Sequence, residues 1–172
     1  SALTLHRDNP RLELLTTSSV GQGCSTFAVD TERDLVYAAF KGDPAGIATM
    51  RLDRATGALT EISRREVPAS MTYLSLDASG TVLLGASYGG GWGATWPIGD
   101  DGRLGDPVSQ IEYPNLHCVV MRDGRAYFVS LGADLIAQHA LPVDVPVGIV
   151  TAAVGGPFLI YLMVSMSRKA TV

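Results

Sequence analysis

The stretch Met71–Leu104, MTYLSLDASGTVLLGASYGGGWGATWPIGDDGRL, decides the fold of this chain. Three runs rich in Val, Leu, Tyr and Thr alternate with clusters of Gly, Asp and Ser at Asp77–Gly80, Ser87–Gly91 and Gly99–Gly102. Short apolar runs broken by such turn residues are typical of antiparallel strands joined by hairpins. The stretch therefore predicts a small sheet built from consecutive strands.

The same unit of strands and turns recurs on both sides of this stretch. Asp77 lies 47 residues after Asp30 and 46 residues before Asp123, and each aspartate opens a turn between two apolar runs. Four strands in about 45 residues are the signature of a β-propeller blade. Because a blade buries its faces only against its neighbours, we expect Trp92 and Trp96 to pack between blades.

The composition narrows the classes of function. Of the 172 residues, 17% are charged, and the net charge is −4. The sequence has no basic stripe, which argues against a nucleic-acid partner. The two cysteines, Cys24 and Cys118, fit a reducing compartment, and we expect them to be buried. The alternative is a single disulfide between them. His6 and His139 are isolated, so the spacing of a metal site is absent.

Six segments resemble the seven-bladed β-propeller lactonases, the family that includes 6-phosphogluconolactonase. In chain order they are AVDTERDLVYAAF, RLDRATGALTEI, LSLDASGTVLLGASYGGG, WPIGDDGRLGDPV, HCVVMRDGRAYFVSLGAD and IAQHAL, and the likeness covers about Leu3–Leu141. The resemblance implies hydrolysis of a phosphorylated sugar lactone, 6-phospho-glucono-1,5-lactone. This is a cytoplasmic step of the pentose phosphate pathway that uses no metal or organic cofactor.

The resemblance also sets the expected architecture. Residues 1–141 hold roughly three of seven four-stranded blades, so we predict an all-β, partial β-propeller. The family's later blades, which carry further site residues, are missing, and we therefore expect impaired or lost activity. Exposed blade edges favour self-association.

His117 is the candidate catalytic residue. It opens a predicted innermost strand after the loop Tyr113–Leu116, and it matches a histidine that the family carries in the same blade. Lactone hydrolysis needs a group that activates water and a donor for the developing oxyanion. We predict that His117 is a general base or a substrate contact; the alternative is a histidine that hydrogen-bonds a loop carbonyl.

Tyr88, Gly89 and Gly90 are the candidate substrate-binding residues. They lie in the turn Ser87–Gly91, which corresponds to the Asn/Ser–Tyr–Gly turn of the family. A glycine corner of this kind can present backbone N–H groups to a phosphate. The alternative is a bend where only glycine tolerates positive φ. Three arginines lie in strand-connecting turns, and we expect solvated charges rather than phosphate ligands: Arg33, Arg122 and Arg125.

The pattern breaks after Leu141. The run Val145–Ser167 has 23 uncharged residues, about 34 Å if helical, which is enough to span a membrane. The tail, about Asp144–Val172, resembles the last transmembrane region of iron-siderophore and vitamin B12 ABC transporter permeases, on the residues VPVGIVTAAVGGPF. The basic pair Arg168–Lys169 follows directly and places the C-terminus in the cytoplasm.

We therefore divide the chain into a partial lactonase-like propeller, 1–141, and a permease-like hydrophobic segment, 142–172. In this interpretation a transmembrane helix tethers a cytoplasmic propeller to the inner membrane. A second interpretation belongs to another class of function: a membrane-associated remnant of a transporter permease that carries the propeller piece as an interaction module.

Overall fold

A computed structural model of the protein describes residues 1–6, 8 and 11–130. These residues form twelve strands and no helix, and residues Ser1–Val129 form one compact unit. The strands are β1 (Ala2–His6), β2 (Arg11–Thr16), β3 (Cys24–Asp30), β4 (Leu35–Phe40), β5 (Ala45–Leu52), β6 (Leu59–Val67), β7 (Tyr73–Leu76), β8 (Val82–Ser87), β9 (Trp92–Pro97), β10 (Ser109–Glu112), β11 (Leu116–Arg122) and β12 (Arg125–Ser130).

The strands form two complete four-stranded sheets and two hairpins among the described residues. Strands β3 to β6 lie side by side in chain order, as do β7 to β10, and all neighbours are antiparallel. The pairs β1–β2 and β11–β12 are the hairpins. The all-β prediction is confirmed. The predicted transmembrane helix at Val145–Ser167 lies outside the described residues.

The two sheets pack face to face, as blades do. All six residues of β4 are buried, and β8 and β9 are nearly as enclosed, because both faces of these central strands are covered. Trp92 and Trp96 meet edge to face with ring centroids 6.1 Å apart, in one core cluster with Tyr37 and Ile47 of the other sheet. The expectation that the tryptophans pack between blades is confirmed.

The first strands of successive sheets are neighbours: β3 contacts β7, and β7 contacts β11. The end of β8 lies beside the start of β7, since Tyr73 pairs with Ala86. We call the end of the sheets at which β3, β7 and β11 begin the upper end, and the opposite end the lower end. The turns after β4 and β8 therefore lie at the upper end.

The repeated aspartates hold the turns of the lower end. Asp77 accepts hydrogen bonds from the amides of Thr81 and Val82, both at 2.8 Å. Asp30 accepts from the amide of Arg33 at 3.1 Å and from its Nε at 2.6 Å. These bonds close the chain reversals that the sequence repeat predicted.

Arg33 corrects one expectation about the turns. Its Nη2 donates to the carbonyl of Gly80 in the next sheet, so this side chain ties two blades together instead of being a solvated charge. Arg122, with a side chain 82% exposed, is solvated as expected. Cys24 corrects another expectation, because it is exposed at the start of β3, where the strand has not yet entered the core.

Candidate functional site

The structure brings His117 and Tyr88 together at the upper end. His117 is the second residue of β11 and is exposed, whereas Leu116 and Val119 of the same strand are buried. Its ring meets the ring of Tyr88 edge on, with centroids 5.8 Å apart and planes at 78°. The candidate catalytic residue thus contacts a candidate substrate-binding residue that comes from the preceding blade.

The turn that carries Tyr88 is fixed by the loop that precedes β7. The hydroxyl of Ser87 is buried and donates to the carbonyl of Ser70 at 2.8 Å. The amide of Tyr88 donates to the hydroxyl of Thr72 at 2.9 Å. Two hydrogen bonds to this loop therefore hold the turn in place.

The three glycines of the turn differ in what they leave for a ligand. The amide of Gly90 donates to Ser87 Oγ at 3.1 Å, and that of Gly91 to the carbonyl of Tyr88 at 3.3 Å. A Cβ on Gly90 would lie 2.5 Å from the Cβ of Ala69, and Gly91 has φ +61°. Gly90 and Gly91 therefore serve the bend, whereas a Cβ on Gly89 would meet open space.

An open cleft of about 430 Å³ lies beside this turn. One wall is Tyr88–Gly91, and the other is the segment Glu112–Asn115 that leads into β11. The walls are joined by a hydrogen bond of 2.9 Å from the amide of Tyr113 to the carbonyl of Gly91. The cleft offers a carboxylate, an amide side chain and exposed backbone to a polar ligand.

Glu112 and Asn115 line this cleft, and sequence reasoning did not single them out. The segment around them was treated only as the loop before His117. A local signal existed, since asparagine tolerates the left-handed conformation, and Asn115 adopts it with φ 59°.

The preceding blade has a matching cleft of about 330 Å³, between Lys41–Ala45 and Val67–Ser70. Lys41 stands 47 residues before Tyr88, at the same place in the repeat. It brings a cation to the upper end, and a lysine ammonium is a common partner of phosphate groups. The repeat spacing was the signal that could have identified Lys41.

In the described part of the chain, no three His, Cys, Asp or Glu side chains are grouped so that they could hold a metal ion. Among the same residues, no helix is long and apolar enough to cross a membrane.

Sequence comparison shows where the chain belongs. The profile of a family described as "Lactonase, 7-bladed beta-propeller" matches residues 1–147. The 6-phosphogluconolactonase of Serratia proteamaculans is 34% identical over 106 residues, which are 61% of this chain and 31% of that protein. That of Pectobacterium carotovorum is 33% identical over 101 residues, 59% of this chain and 30% of that protein. The chain thus spans about a third of the length of these curated relatives.

Solved structures show the same fold. The periplasmic gluconolactonase PpgL of Pseudomonas aeruginosa superposes with a TM-score of 0.66 at 20% identity, over 84% of this chain and 47% of that one. A protein from Lactobacillus plantarum superposes with a TM-score of 0.57 at 20% identity, over 64% of this chain and 32% of that one. With the profile match over most of its length, the chain belongs to the lactonase family of seven-bladed β-propellers.

Proposed function

We propose that this chain contributes His117 and Tyr88 to a site that hydrolyses a phosphorylated sugar lactone, 6-phospho-glucono-1,5-lactone. The observation that carries the proposal is the contact of the two rings at the upper end, with centroids 5.8 Å apart, where the innermost strands begin. The family profile and the 6-phosphogluconolactonases among the relatives support the substrate class.

Hydrolysis of the lactone needs a general base that activates water and a hydrogen-bond donor for the developing oxyanion. The His117 imidazole takes a proton from water as the water oxygen attacks the lactone carbonyl. The tetrahedral intermediate then collapses, the ring C–O bond breaks, and the imidazolium returns a proton to the leaving ring oxygen. The product is the open-chain acid, 6-phosphogluconate. In this scheme the Tyr88 ring positions the imidazole, and the amide of Gly89 faces the substrate.

We assign the full lactonase activity to a complete seven-bladed propeller. Because the chain spans about 30% of its curated relatives, we assign these residues to one part of the site and expect the chain alone to be far slower than those relatives. We place the propeller in the cytoplasm, because the proposed substrate is an intermediate of the pentose phosphate pathway. The proposed mechanism uses no metal or organic cofactor.

The test compares two histidines. Lactone hydrolysis above the spontaneous rate is followed in a pH-stat for the chain, for His117→Gln and for His6→Gln. His6 is the control, because it lies on β1 and hydrogen-bonds Glu13 at 2.9 Å. We expect His117→Gln to lower the rate about a hundredfold and His6→Gln to leave it unchanged. Equal rates above the spontaneous rate for all three proteins would contradict the proposal.

If the chain hydrolyses the lactone no faster than the spontaneous reaction, a binding experiment tests whether His117 lies in the site. The stable product 6-phosphogluconate is titrated into the chain, and the imidazole signals of the histidines are followed by NMR. We expect the signals of His117 to shift and those of His6 to stay in place. No shift at His117 at saturating ligand would exclude it from the site.

For the C-terminal residues we propose the division at 141/142, with Val145–Ser167 binding the inner membrane as a permease-like helix. The support is the uncharged run alone. We expect the chain to resist alkaline extraction from membranes, and the double substitution Val154→Asp, Leu159→Asp to release it, since a carboxylate at the centre of a span costs about 2.5–3.5 kcal/mol. Full extraction of the unaltered chain would refute the proposal.

We also propose that the chain self-associates. Large apolar side chains remain exposed on β1, β2 and β3, where a propeller would cover them with another blade.

A further inference from the structure

A third cleft, of about 430 Å³, opens beside the sheet β3–β6. It is lined by one side of that sheet and by the connection between β9 and β10: Ile47, Thr49, Ser63, Arg64, Arg65 and Glu66, with Arg103 and Leu104. It shares no residue with the clefts of the upper end. The lactonase site does not use it.

The strand register shows which side chains face this cleft. Ile47 pairs with Arg65, and Thr49 pairs with Ser63, so these four side chains share one face of the sheet. Arg64 points to the opposite face, where its guanidinium lies 4.2 Å from the centroid of the Phe40 ring. The guanidinium of Arg65, not that of Arg64, therefore belongs to the cleft.

Arg65 is only partly satisfied by the protein. Its Nη2 donates to the carbonyl of Leu104 at 3.3 Å and to Asp106 Oδ1 at 3.2 Å. Its Nε is buried and has no hydrogen-bond partner among the described residues. Because the Nε is enclosed, a ligand would meet the guanidinium at its terminal nitrogens, on a side chain that is 29% exposed and lines the cleft.

The rest of the wall is suited to the same ligand. Thr49, 1% exposed, and Ser63 bring hydroxyl groups to the inner end. Arg103 spans the opposite side, with its Nε 3.2 Å from Asp101 Oδ2. The side chains of Asp101 and Asp106 are 63% and 95% exposed, so solvent screens their charge at the mouth. Glu66, the one carboxylate among the described lining residues, pairs with Gly46 and so lies on the opposite face of the sheet, and the polar side chains on the cleft face are donors.

We propose that this cleft between the blades binds a small tetrahedral oxyanion, a phosphate or sulfate group, through Arg65. A guanidinium presents parallel N–H donors that match two oxygens of such a group. Arg103 contributes the second positive charge, and the hydroxyls of Thr49 and Ser63 hold the remaining oxygens. Because the ligand would contact the sheet β3–β6 and the connection between β9 and β10, its binding stabilises the packing of one blade on the next.

The test uses inorganic phosphate as the probe. The full chain is titrated by isothermal calorimetry at constant ionic strength, with chloride as the balancing anion and acetate in a parallel titration. We expect saturable binding of phosphate and sulfate, little binding of acetate, and a rise in Tm with phosphate. Arg65→Gln lowers the phosphate affinity about tenfold, the loss expected for one charge-assisted contact.

Three further variants make the result specific. Arg122→Gln, which removes an exposed arginine of β11, and His117→Gln, which alters the lactonase site, leave phosphate binding unchanged. Ser63→Ala keeps both arginines and weakens binding, so it replaces Arg65→Gln if that variant fails to fold. The proposal is overturned if phosphate does not bind saturably, or if binding is lost in His117→Gln and retained in Arg65→Gln.

Discussion

Asp30 and Arg33 link two blades through a single ion pair. Burial alone would raise the pKa of Asp30, but the hydrogen bonds from Arg33 and the amide of Glu32 outweigh it and hold that pKa below its usual value. The carboxylate is 6% exposed, and Arg33 also donates a hydrogen bond to the carbonyl of Gly80 in the next blade. The folded state therefore favours the ionised form of Asp30.

We expect Asp30→Asn to destabilise the chain by about 2 kcal/mol at pH 7, since it removes the charge-assisted hydrogen bonds between a buried carboxylate and Arg33, whose side chain is 32% exposed. The lowered pKa stabilises the fold above the ordinary aspartate value of about 3.9, and this contribution is lost as the pH falls below it. Urea unfolding at pH 7 and pH 3 should show the difference between wild type and variant shrinking at the lower pH.

The control for that experiment is Asp123→Asn. Asp123 is 80% exposed, and its carboxylate is 3.8 Å from Arg122, so its loss should change stability by less than about 0.5 kcal/mol. A pH-independent difference for Asp30→Asn would show that the carboxylate acts through its shape and not its charge.

The buried hydroxyl of Tyr37 predicts a second pH-dependent contribution to stability. It is fully buried, its hydroxyl donates to the carbonyl of Gly102 at 3.0 Å, and burial raises its pKa to about 12. An unfolded tyrosine ionises near pH 10, so the stability that this residue contributes begins to fall above about pH 10. We expect Tyr37→Phe to cost about 1 kcal/mol at pH 7. It should also flatten the loss of stability between pH 9 and pH 11, measured by urea unfolding.

At the scale of single elements, the turn Ser87–Gly91 contains a matched pair of glycines. A Cβ on Gly90 would meet three atoms within 2.7 Å, whereas one on Gly89 would meet none within 4 Å. We expect Gly90→Ala to destabilise the chain by about 1–3 kcal/mol and Gly89→Ala to change stability by less than about 0.5 kcal/mol. Thermal unfolding of the two variants checks this.

The same pair tests the substrate-binding prediction. Gly89→Ala keeps the amide and adds a methyl group on the open side of the cleft. If Gly89 faces the substrate, the variant should weaken the binding of 6-phosphogluconate without a change in Tm. Unchanged affinity would leave the turn with its structural role alone.

Strand positions were predictable from the sequence to within a few residues. Leu35–Phe40 is an apolar run between two turn signals, a pattern that predicts a strand with these bounds, and β4 has them. The run Gly105–Ile111 likewise predicts a strand from Gly105, but β10 begins at Ser109. The amide of Gly105 instead bonds the carbonyl of Pro97 in an irregular connection, and periodicity carries no signal for such a bond.

The side-chain contacts between blades could not be predicted from the sequence. Arg33 reaches Gly80 across 47 residues, and His117 meets Tyr88 across 29, because neighbouring sheets pack with their first strands side by side. The repeat period fixes which residues are equivalent, not which side chains meet. For this reason His117 and Tyr88 were predicted as separate candidates, and the partly unsatisfied guanidinium of Arg65 was not predicted.

At the scale of the whole molecule, the β1–β2 hairpin carries an uncovered apolar patch. Leu3 pairs with Leu14 and Leu5 with Leu12, so the four leucines share one face, and they are 50–66% exposed. On β3, Phe27 is 62% exposed, although Leu74, its counterpart 47 residues on, is 4% exposed and packs in the core cluster between the two sheets. Each of these faces lacks a covering sheet within the described residues.

This patch predicts concentration-dependent self-association. Burying the four leucines against another chain removes apolar surface from water, at about 25 cal/mol per Å². We expect sedimentation velocity to show species larger than the monomer at micromolar concentration. Leu12→Lys should shift the population towards the monomer, because it places a charge in the middle of the patch. Thr4→Lys is the matched control: Thr4 lies on the same hairpin but on its opposite face, next to Glu13. An equal effect of both lysines would mean that net charge, not the leucine face, governs assembly. A monomer at all concentrations would mean that other residues cover the patch.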